Sequence, residues 1–425
     1  MVQTVDCIVE KASALLTLSG AGPARGPALG QLGPIENGAM AIDGQTILAV
    51  GTTPEIRQSY DARQVIDAGG RAVVPGFIDP HTHLIFAGSR QNEFEQRLSG
   101  ATYQQIMASG GGIMSTVRAT RAASMDELVS AALPRLSRFL AHGTTTVEAK
   151  TGYGLTTNHE LTSLAAIHHL SRCSPIELVP TFLGAHAVPE EFSGRTGQYV
   201  DLVVHEMLPV VTGSGRHSQT GSTPMPSYCD VFCDEGAFDL SQTERILRAA
   251  RSLGLGLKVH ADEFAHLGAA QLAADLRAVS AEHLLHTSSQ EMSALAGAGV
   301  VGVLLPGTPF GLGLHEYGDA RSMIAAGMIV ALATDLNPGT CYCESMPFVM
   351  ALACRFMHLT PAEALVASTV NAAFAIGRGS DLGRLWPGYQ ADAVILDESD
   401  YRSLAYRFGT NPVYSVIKKG KVVYQ

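Results

Sequence analysis

The sequence predicts an α/β protein: a (β/α)8 TIM-like barrel with a small β-sandwich domain formed by the N- and C-terminal segments. In the middle of the chain, helix-like stretches rich in Ala and Leu alternate with eight short apolar runs, and eight parallel strands close such a barrel. Both ends of the chain instead show β-forming residues and turn signals, so we expect them to meet in one domain. The expected division is a composite domain of residues 1–75 and 376–425 around a barrel of residues 76–375.

The terminal segments have the pattern of short strands joined by tight turns. Ala39–Val50 carries Asp-Gly between two apolar stretches, which is typical of a β-hairpin. Ala391–Leu396 is rich in apolar β-forming residues, and Val416–Tyr424 contains two such stretches around a glycine-centred turn. These patterns predict strands and hairpins at both ends of the chain.

The apolar runs of the middle are interpreted as parallel strands, with crossover helices such as Ser241–Leu253 and Glu263–Leu276 between them. In chain order the predicted strands are Ala72–His83, Thr144–Lys150, Ile176–His186, Cys229–Phe238, Gly256–His260, Ser280–His286, Val300–Gly307 and Ile329–Gly339. The polar segment Val211–Ser227 is predicted to be a flexible loop without chemistry. All strands of such a barrel end on one face, where its active site is built.

Composition limits the partners of the chain. Only 16% of its 425 residues are charged, which implies a large core and excludes global disorder. The net charge is −10 and no Lys/Arg-rich run is present, which argues against nucleic acid and anionic membranes as partners. The N-terminus lacks the pattern of an export signal, and the seven scattered cysteines are expected to be buried or incidental thiols of a cytoplasmic protein.

Common motifs of other enzyme classes are either misplaced relative to the predicted strands or absent. Gly297–Gly302 fits G-x-G-x-x-G, but it precedes its predicted strand and therefore cannot be the turn that cradles a dinucleotide phosphate. No Walker A, H-E-x-x-H or G-x-S-x-G sequence occurs in the chain, which removes the simplest routes to a P-loop enzyme, a zincin or a serine hydrolase.

Polar residues stand where four of the predicted strands end. His81 and His83 alternate along one strand, so their imidazoles point to the same side, about 7 Å apart. His260 ends the fifth predicted strand, His283 lies near the end of the sixth, and Asp335 ends the eighth. Each alone could be a hydrogen-bonded residue at a strand end. Together on one barrel face they favour a metal site.

Imidazole and carboxylate ligands suit one divalent metal ion, Zn2+ or Fe2+. Such an ion lowers the pKa of a bound water towards about 7 and so supplies hydroxide at neutral pH. Lys150 and Glu235 are candidates for a second metal, but the second strand shows no obvious bridging lysine, and we favour one ion.

With these residues in place, the chain resembles the amidohydrolase superfamily and, more narrowly, the imidazolonepropionase family. H-x-H suggests only the superfamily, whereas HTHLIFAGSRQNEFEQR and KTGYGL are specific to the family. The resemblance covers nearly the whole chain. The other matching stretches include TFLGAHAVP, DVFCDEGAF, LKVHADEF, SAEHLLHT, ATDLNPGT and FGTNPV.

The resemblance implies hydrolysis of the cyclic amide of a small-molecule substrate, 4-imidazolone-5-propanoate (imidazolone propionate), to N-formimidoyl-L-glutamate in histidine degradation, by a homodimer. The metal ligands that it implies are His81, His83, His260 and Asp335. The substrate contacts that it implies are Arg90, Tyr153, His186, Glu263, Asn337, Gly339 and Thr340, with Tyr103 as a further candidate. The chain departs from the family in a longer polar loop around residues 212–227 and in Cys341 and Cys343, where small residues are usual.

The catalytic roles follow from chemistry. Glu263, three residues past His260, is expected to move protons between the water and the leaving nitrogen; the alternative is an acid in the first turn of a helix. His283 is expected to stabilise the oxyanion or to help hold the nucleophile, and Asp335 to accept a proton while it binds the metal. Arg90, in the first loop after a barrel strand, is expected to pair with the substrate carboxylate rather than to be a surface arginine.

The remaining substrate contacts are less specific. Tyr153 and His186 are expected to bond the substrate ring or its arm, and the polar turn at 337–340 to offer backbone N–H groups. Two other functions stay open from the residues. One is a mononuclear-metal heterocycle deaminase with the same fold and ligands, against which Arg90 argues. The other is an inactive scaffold, against which the complete ligand set with Glu263 argues.

Overall fold

The structure is a computed structural model that describes residues 2–101, 105, 110–214 and 225–425. Two sheets of eight strands organise it. The terminal sheet consists of β1 (Gln3–Leu16), β2 (Pro34–Asp43), β3 (Thr46–Thr52), β4 (Tyr60–Asp67), β5 (Val73–Pro75), β14 (Ala393–Leu396), β15 (Val413–Lys418) and β16 (Lys421–Tyr424). The barrel sheet consists of β6 (Phe77–Asp79), β7 (Thr144–Lys150), β8 (Glu177–Ala185), β9 (Tyr228–Cys233), β10 (Gly256–Ala261), β11 (Ser280–His283), β12 (Val301–Leu304) and β13 (Ile329–Leu332).

Helices surround the barrel and connect its strands. The described α-helices are α1 (Thr53–Ser59), α2 (Gln91–Leu98), α3 (Ile113–Ala122), α4 (Met125–Ala141), α5 (Thr157–Cys173), α6 (Thr196–Leu202), α7 (Leu208–Val211), α8 (Leu240–Ser252), α9 (Ala269–Asp275), α10 (Ser289–Ala298), α11 (Gly307–Leu312), α12 (Ala320–Ala325), α13 (Met346–Phe356), α14 (Pro361–Ala367), α15 (Val370–Ala375) and α16 (Ser403–Tyr406). Short 3-10 or π turns occur at Gly26–Gly30, Glu190–Phe192 and Val203–Met207. Within the described residues, no helix is both long and apolar enough to cross a bilayer.

The eight barrel strands are all parallel and follow chain order from β6 to β13. The ring closes just beyond the first and last strands, where Thr82 and Leu336 form a parallel bridge. The backbone N–H of His83 donates to the Leu336 carbonyl over 2.8 Å, and that of Asp335 donates to the His81 carbonyl over 3.2 Å. The predicted (β/α)8 barrel is therefore confirmed. Its first and last strands meet at His81, His83 and Asp335, which are predicted metal ligands.

The terminal strands pair in the order β16-β15-β14-β5-β1-β2-β3, with β4 also against β1. They enclose an apolar core of their own, so the two ends of the chain form one small sandwich, as predicted. Both predicted hairpins are present, β2–β3 and β15–β16. Gly420 has φ +77°, and a Cβ there would lie 3.0 Å from the Gly44 carbonyl, so the second hairpin turn requires glycine.

One predicted barrel strand is wrong in its extent. Ala72–His83 divides into β5, which pairs in the terminal sheet with β14, and β6, which pairs in the barrel with β7. The change of sheet falls at Pro75 and Gly76. Proline cannot donate to a ladder, and a Cβ at Gly76 would lie 2.5 Å from Thr145 Oγ1, so the chain bends where the two sheets meet.

The predicted helix Glu263–Leu276 is also wrong in its start. Helix α9 begins only at Ala269, after Gly268 at φ +89°. Asp262 has φ +52°, a left-handed conformation that does not continue into a helix. Glu263 therefore lies in a loop, and the alternative that it is an acid of the first helical turn is wrong.

Two other expectations concern loops and thiols. Residues 215–224 of the predicted polar loop lie outside the described residues, so its flexibility stays a prediction. All seven cysteines are free thiols, and Cys7, Cys229, Cys233 and Cys341 are buried.

A buried ion cluster joins the terminal sheet to the barrel. Lys418 Nζ, with its side chain only 3% exposed, lies 2.6 Å from Glu177 Oε2 and 2.7 Å from Asp392 Oδ2. Glu177 begins a barrel strand, whereas Lys418 belongs to β15. Burial alone would raise the pKa of Glu177, but the charge of Lys418 outweighs it and lowers that pKa to about 2.

Lys418→Met is expected to destabilise the fold by about 3 kcal/mol, because it leaves two carboxylates without their buried cation. The pKa of Glu177 is lower in the folded chain than its value of about 4.3 in the unfolded chain, so the ionised carboxylate stabilises the fold above about pH 4.3. This stabilisation is lost as the pH falls towards the folded pKa of about 2. Thermal unfolding between pH 2 and pH 7 measures both effects. Equal melting temperatures of the wild type and the variant at pH 7 would contradict the prediction, and exposed Lys421→Met is the control.

Candidate metal centre and active site

Asp79 links the strand end that carries His81 and His83 to the last barrel strand through hydrogen bonds. Its carboxylate accepts the Thr334 hydroxyl over 2.6 Å and the Thr334 backbone N–H over 3.2 Å. Thr334 directly precedes Asp335 in the sequence, so Asp79 ties the first barrel strand to the last at the height of the candidate ligands. Burial raises the pKa of Asp79 to about 7.

The candidate metal ligands converge. Asp335 Oδ1 lies 3.5 Å from His81 Nε2 and 3.5 Å from His83 Nε2, and His260 Nε2 lies 3.4 Å from His83 Nε2. Four ligands bound at roughly 2.1 Å around a tetrahedral ion would be about 3.4 Å apart. These three distances are therefore those expected of ligands to one ion. The ligand atoms of His81, His83 and His260 lie within 4.8 Å of one another, and so do those of His81, His283 and Asp335.

The chemistry of these donors also fits a cation. His81 is completely buried, and neither of its ring nitrogens has a hydrogen-bond partner among the described residues. Burial holds the pKa of His81 and His83 well below the usual range, so both rings are neutral, as metal ligands must be. Burial raises the pKa of Asp335 to about 6, and Thr308 donates its hydroxyl to the other carboxylate oxygen, Asp335 Oδ2.

The loops around these ligands adopt unusual backbone conformations. Asp262, His283, Leu284 and Asp335 have φ values of +52°, +73°, +60° and +53°. Each such residue costs of order 1–3 kcal/mol, and such strain gathers at functional sites. The rest of the barrel stabilises these strand ends in the orientation that the site requires.

Charged residues inside the barrel pair with one another beside the candidate site. Lys150 Nζ lies 2.8 Å from Glu148 Oε1 and 2.8 Å from Asp230 Oδ2, and all three side chains are completely buried. Lys258 Nζ lies 3.3 Å from Glu282 Oε1. Lys150 thus pairs with carboxylates rather than acting as a ligand. The ligand atoms of His81, Asp230 and Glu282 lie within 4.8 Å of one another, and one ion rather than two stays a prediction. Glu235, the other candidate, is exposed.

Glu263 and His283 form the candidate proton-transfer pair. Glu263 Oε2 lies 3.4 Å from His283 Nε2. Two backbone N–H groups, of Glu263 and Phe264, donate to Asp234 Oδ2 over 3.0 and 2.8 Å and hold the loop. Burial, and then the charges of Asp335 and Asp234, hold the pKa of Glu263 well above its usual range. Burial lowers the pKa of His283, so the imidazole is neutral.

Arg90 lies at the mouth of the site and is oriented by Glu93, a residue that the sequence analysis missed. Arg90 Nε donates to Glu93 Oε2 over 2.8 Å, and Glu93 Oε1 accepts the Gly112 N–H and the Ser115 hydroxyl, each over 3.1 Å. A Cβ at Gly339 would lie 2.1 Å from one Arg90 nitrogen, so the guanidinium rests on that glycine. The structure thus brings Arg90 and Gly339 together.

The turn after the eighth strand differs from its predicted use. Asn337 Oδ1 accepts the backbone N–H groups of Gly339, Thr340 and Cys341 over 2.9, 2.7 and 3.4 Å. These groups are therefore not free to meet a substrate, and the expectation that this turn offers them is corrected. Asn337 Nδ2 also donates to the Asp335 carbonyl over 2.9 Å, so Asn337 shapes the loop that presents Asp335.

Tyr153 and His186 line the same side of the site. The His186 ring stacks on that of His83 with centroids 4.7 Å apart and 14° between planes, and Tyr153 lies 5.2 Å from His186. Burial lowers the pKa of His186 to about 3. Buried Glu160 holds the Tyr153 loop by accepting the Gly154 and Leu155 N–H groups over 2.9 and 2.8 Å.

Among the described residues, the structure brings together most of the side chains that sequence reasoning named, and their roles stay predictions. Sequence reasoning assigned no role to several residues that hold them. Tyr103, also predicted to contact substrate, lies outside the described residues. The overlooked residues are Asp79, Glu93, Glu160 and Asp230. The signal that could have found Asp79, Glu160 and Asp230 is a carboxylate within or beside an apolar run, which needs a partner when buried.

Comparisons with known proteins agree with this architecture. The model of the amidohydrolase family matches residues 72–423. An imidazolonepropionase of Chloroflexus aggregans is 53% identical over 419 residues, 98% of each chain. One of Herpetosiphon aurantiacus is 52% identical over 94% of this chain and 93% of its own. Among solved structures, the guanine deaminase of E. coli has a TM-score of 0.72 at 15% identity, covering 98% of each chain, which shows a shared fold.

Proposed function

Because this chain belongs to the amidohydrolase family, and within it to the imidazolonepropionases, we propose that it hydrolyses 4-imidazolone-5-propanoate to N-formimidoyl-L-glutamate in histidine degradation. The observation that carries the mechanism is the convergence of Asp335 with two histidines at 3.5 Å, beside the Glu263–His283 pair. Relatives named imidazolonepropionase, 43–53% identical to nearly the whole chain, support this choice of substrate.

His81, His83, His260 and Asp335 would hold one divalent cation. When bound, such an ion lowers the pKa of water and polarises a carbonyl oxygen. The neutral imidazoles and the single carboxylate leave the ion with a net positive charge, which suits the stabilisation of a developing oxyanion. Zn2+ and Fe2+ both suit this donor set, and metal analysis of the purified chain distinguishes them.

Glu263 would move the protons of the reaction. Water adds to the ring carbonyl carbon and the ring C–N bond breaks, so one proton must leave the water and one must reach the leaving nitrogen. Glu263 Oε2 would take the first and deliver the second. Its buried position raises its pKa, and a nearby cation would bring that pKa back towards the range in which it can both accept and donate. His283 would orient this carboxylate and stabilise the oxyanion.

Arg90 would bind the propanoate arm. A guanidinium pairs with a carboxylate through two parallel hydrogen bonds, and Glu93 fixes one edge of this guanidinium while its remaining nitrogen reaches Gly339. Tyr153 and His186 would contact the ring of the substrate, and Asn337, Gly339 and Thr340 would shape the opposite wall.

Arg90→Ala is expected to raise KM by about 10–150-fold, the loss of one charge-assisted bidentate pair at roughly 1.5–3 kcal/mol, with a smaller effect on kcat. Steady-state kinetics measure the two constants separately. Arg138→Ala is the control, because that arginine pairs at the surface with Glu344. An unchanged KM in Arg90→Ala would remove its role in carboxylate binding.

A heterocycle deaminase is the alternative function, but the solved deaminase structures that share this fold are only 15–17% identical to this chain. A spectroscopic assay of imidazolone propionate loss, with and without a chelator, tests the proposal directly. We expect ring opening that stops when the metal is removed and returns with zinc or ferrous iron. Release of ammonia without ring opening would support the deaminase. A chain that holds no metal, and gains no activity from it, would support the inactive scaffold.

Two further expectations stay predictions of the family resemblance: the homodimer and the cytoplasmic location. Light scattering of the purified chain tests the first. Fractionation of cells that express it tests the second.

A further inference from the structure

Of the three candidate histidine ligands, His260 has a carboxylate next to its Nδ1 atom. Asp230 Oδ2, completely buried at the second position before Phe232 on β9, lies 3.0 Å from His260 Nδ1. On the other side of the ring, His260 Nε2 faces His83 Nε2 at 3.4 Å. The Nδ1 atoms of His81 and His83 have no hydrogen-bond partner in the described part of the chain. His260 Nδ1 also lacks an aligned hydrogen bond, so what distinguishes His260 is the carboxylate oxygen 3.0 Å from that nitrogen.

A metal ligand must present a lone pair, so the proton of a neutral imidazole has to sit on the other ring nitrogen. A carboxylate next to Nδ1 favours the proton there and leaves the lone pair on Nε2. The contact between His260 and Asp230 has the distance of an ion pair but not the alignment of a hydrogen bond.

Asp230 can keep its charge in the barrel interior because Lys150 faces it. Lys150 Nζ lies 2.8 Å from Asp230 Oδ2 and 2.8 Å from Glu148 Oε1. The ammonium thus stands between two buried carboxylates, of which only Asp230 reaches a candidate ligand. Glu148 Oε2 instead accepts the Thr82 N–H over 3.3 Å.

We propose that Asp230, which Lys150 contacts on its other side, is a positioning residue that selects the metal-binding tautomer and orientation of His260. This inference rests on the proposed metal centre. Asp230 does not touch the substrate in this role and acts through His260 alone. Its contribution therefore shows in the affinity for the ion, before any substrate is added.

The pair of Asp230→Asn and Glu148→Gln provides a matched test. Each variant removes one of the two carboxylates beside Lys150 and leaves the ammonium paired with the other, so the charge of the cluster changes equally. The full-length apo chain is titrated with Zn2+ in competition with a chromogenic chelator, without substrate. We expect Asp230→Asn to weaken zinc binding by about 10–100-fold and Glu148→Gln to bind zinc nearly as the wild type does.

A thermodynamic cycle separates positioning from a general loss of structure. Because Asp230 acts through His260, adding Asp230→Asn to His260→Ala should not weaken zinc binding further. Wild-type affinity in Asp230→Asn, an equal loss in Glu148→Gln, or additive losses in the double variant would each overturn the inference. Absence of zinc binding by the wild type would overturn it together with the metal centre, whereas a different substrate would leave it intact.

Discussion

Glu263→Gln is expected to retain the metal and to lose about 10²–10⁴-fold in kcat, the usual contribution of a general acid or base. The amide has nearly the same shape as the carboxylate, but it can neither accept the proton of the water nor deliver one to the leaving nitrogen. Glu263 is buried, and its Oε2 lies 3.4 Å from His283 Nε2.

The measurement combines kcat with the metal content of the same preparation. Glu235→Gln is the control, since Glu235 is an exposed acid in a loop on the same face of the barrel. Nearly normal turnover in Glu263→Gln would show that another group moves the protons. Loss of metal together with turnover would show that Glu263 supports the ligands instead.

His81→Ala is expected to leave the purified chain almost free of metal and to lower turnover by more than about 10³-fold, because the activation of water depends on the ion. His81 is completely buried, and both its nitrogens lack hydrogen-bond partners among the described residues. If the His81 ring only filled space, its removal would destabilise the fold but would not release the metal.

Elemental analysis and kcat are measured on the same samples, with circular dichroism as a check on folding. His286→Ala provides the control, because His286 is an exposed histidine in the same stretch of sequence as His283. A His81→Ala chain that is folded, holds a stoichiometric metal ion and turns over normally would exclude His81 as a ligand.

The sequence predicted polar side chains at the ends of the barrel strands because the signals of a strand end are local. A strand end shows as an apolar run that stops at a polar residue, and i, i+2 spacing puts His81 and His83 on one side. The eight runs also gave the barrel, since the repeated alternation of strand and helix admits few topologies. The ligand set itself came from the family resemblance, and the distances between His81, His83, His260 and Asp335 agree with it.

Local signals failed where the backbone responds to distant partners. The run Ala72–His83 looks continuous, yet at Pro75 and Gly76 it passes from the sheet formed by both ends of the chain to the barrel sheet formed by its middle. The turn after β13 looks able to donate N–H groups, yet Asn337 accepts them.

The sequence by itself therefore determined the fold class, the family and the side chains that meet at the barrel mouth. Only the tertiary structure decided which residues contact these side chains from outside the site: Glu93 contacts Arg90, and Asp230, which is paired with Lys150, contacts His260. The physical reason is that a buried charge needs a partner, while many residues of the right type are available along a chain. Which one supplies the charge depends on how the barrel closes, as with His83 and His260, 177 positions apart in sequence and 3.4 Å apart in space.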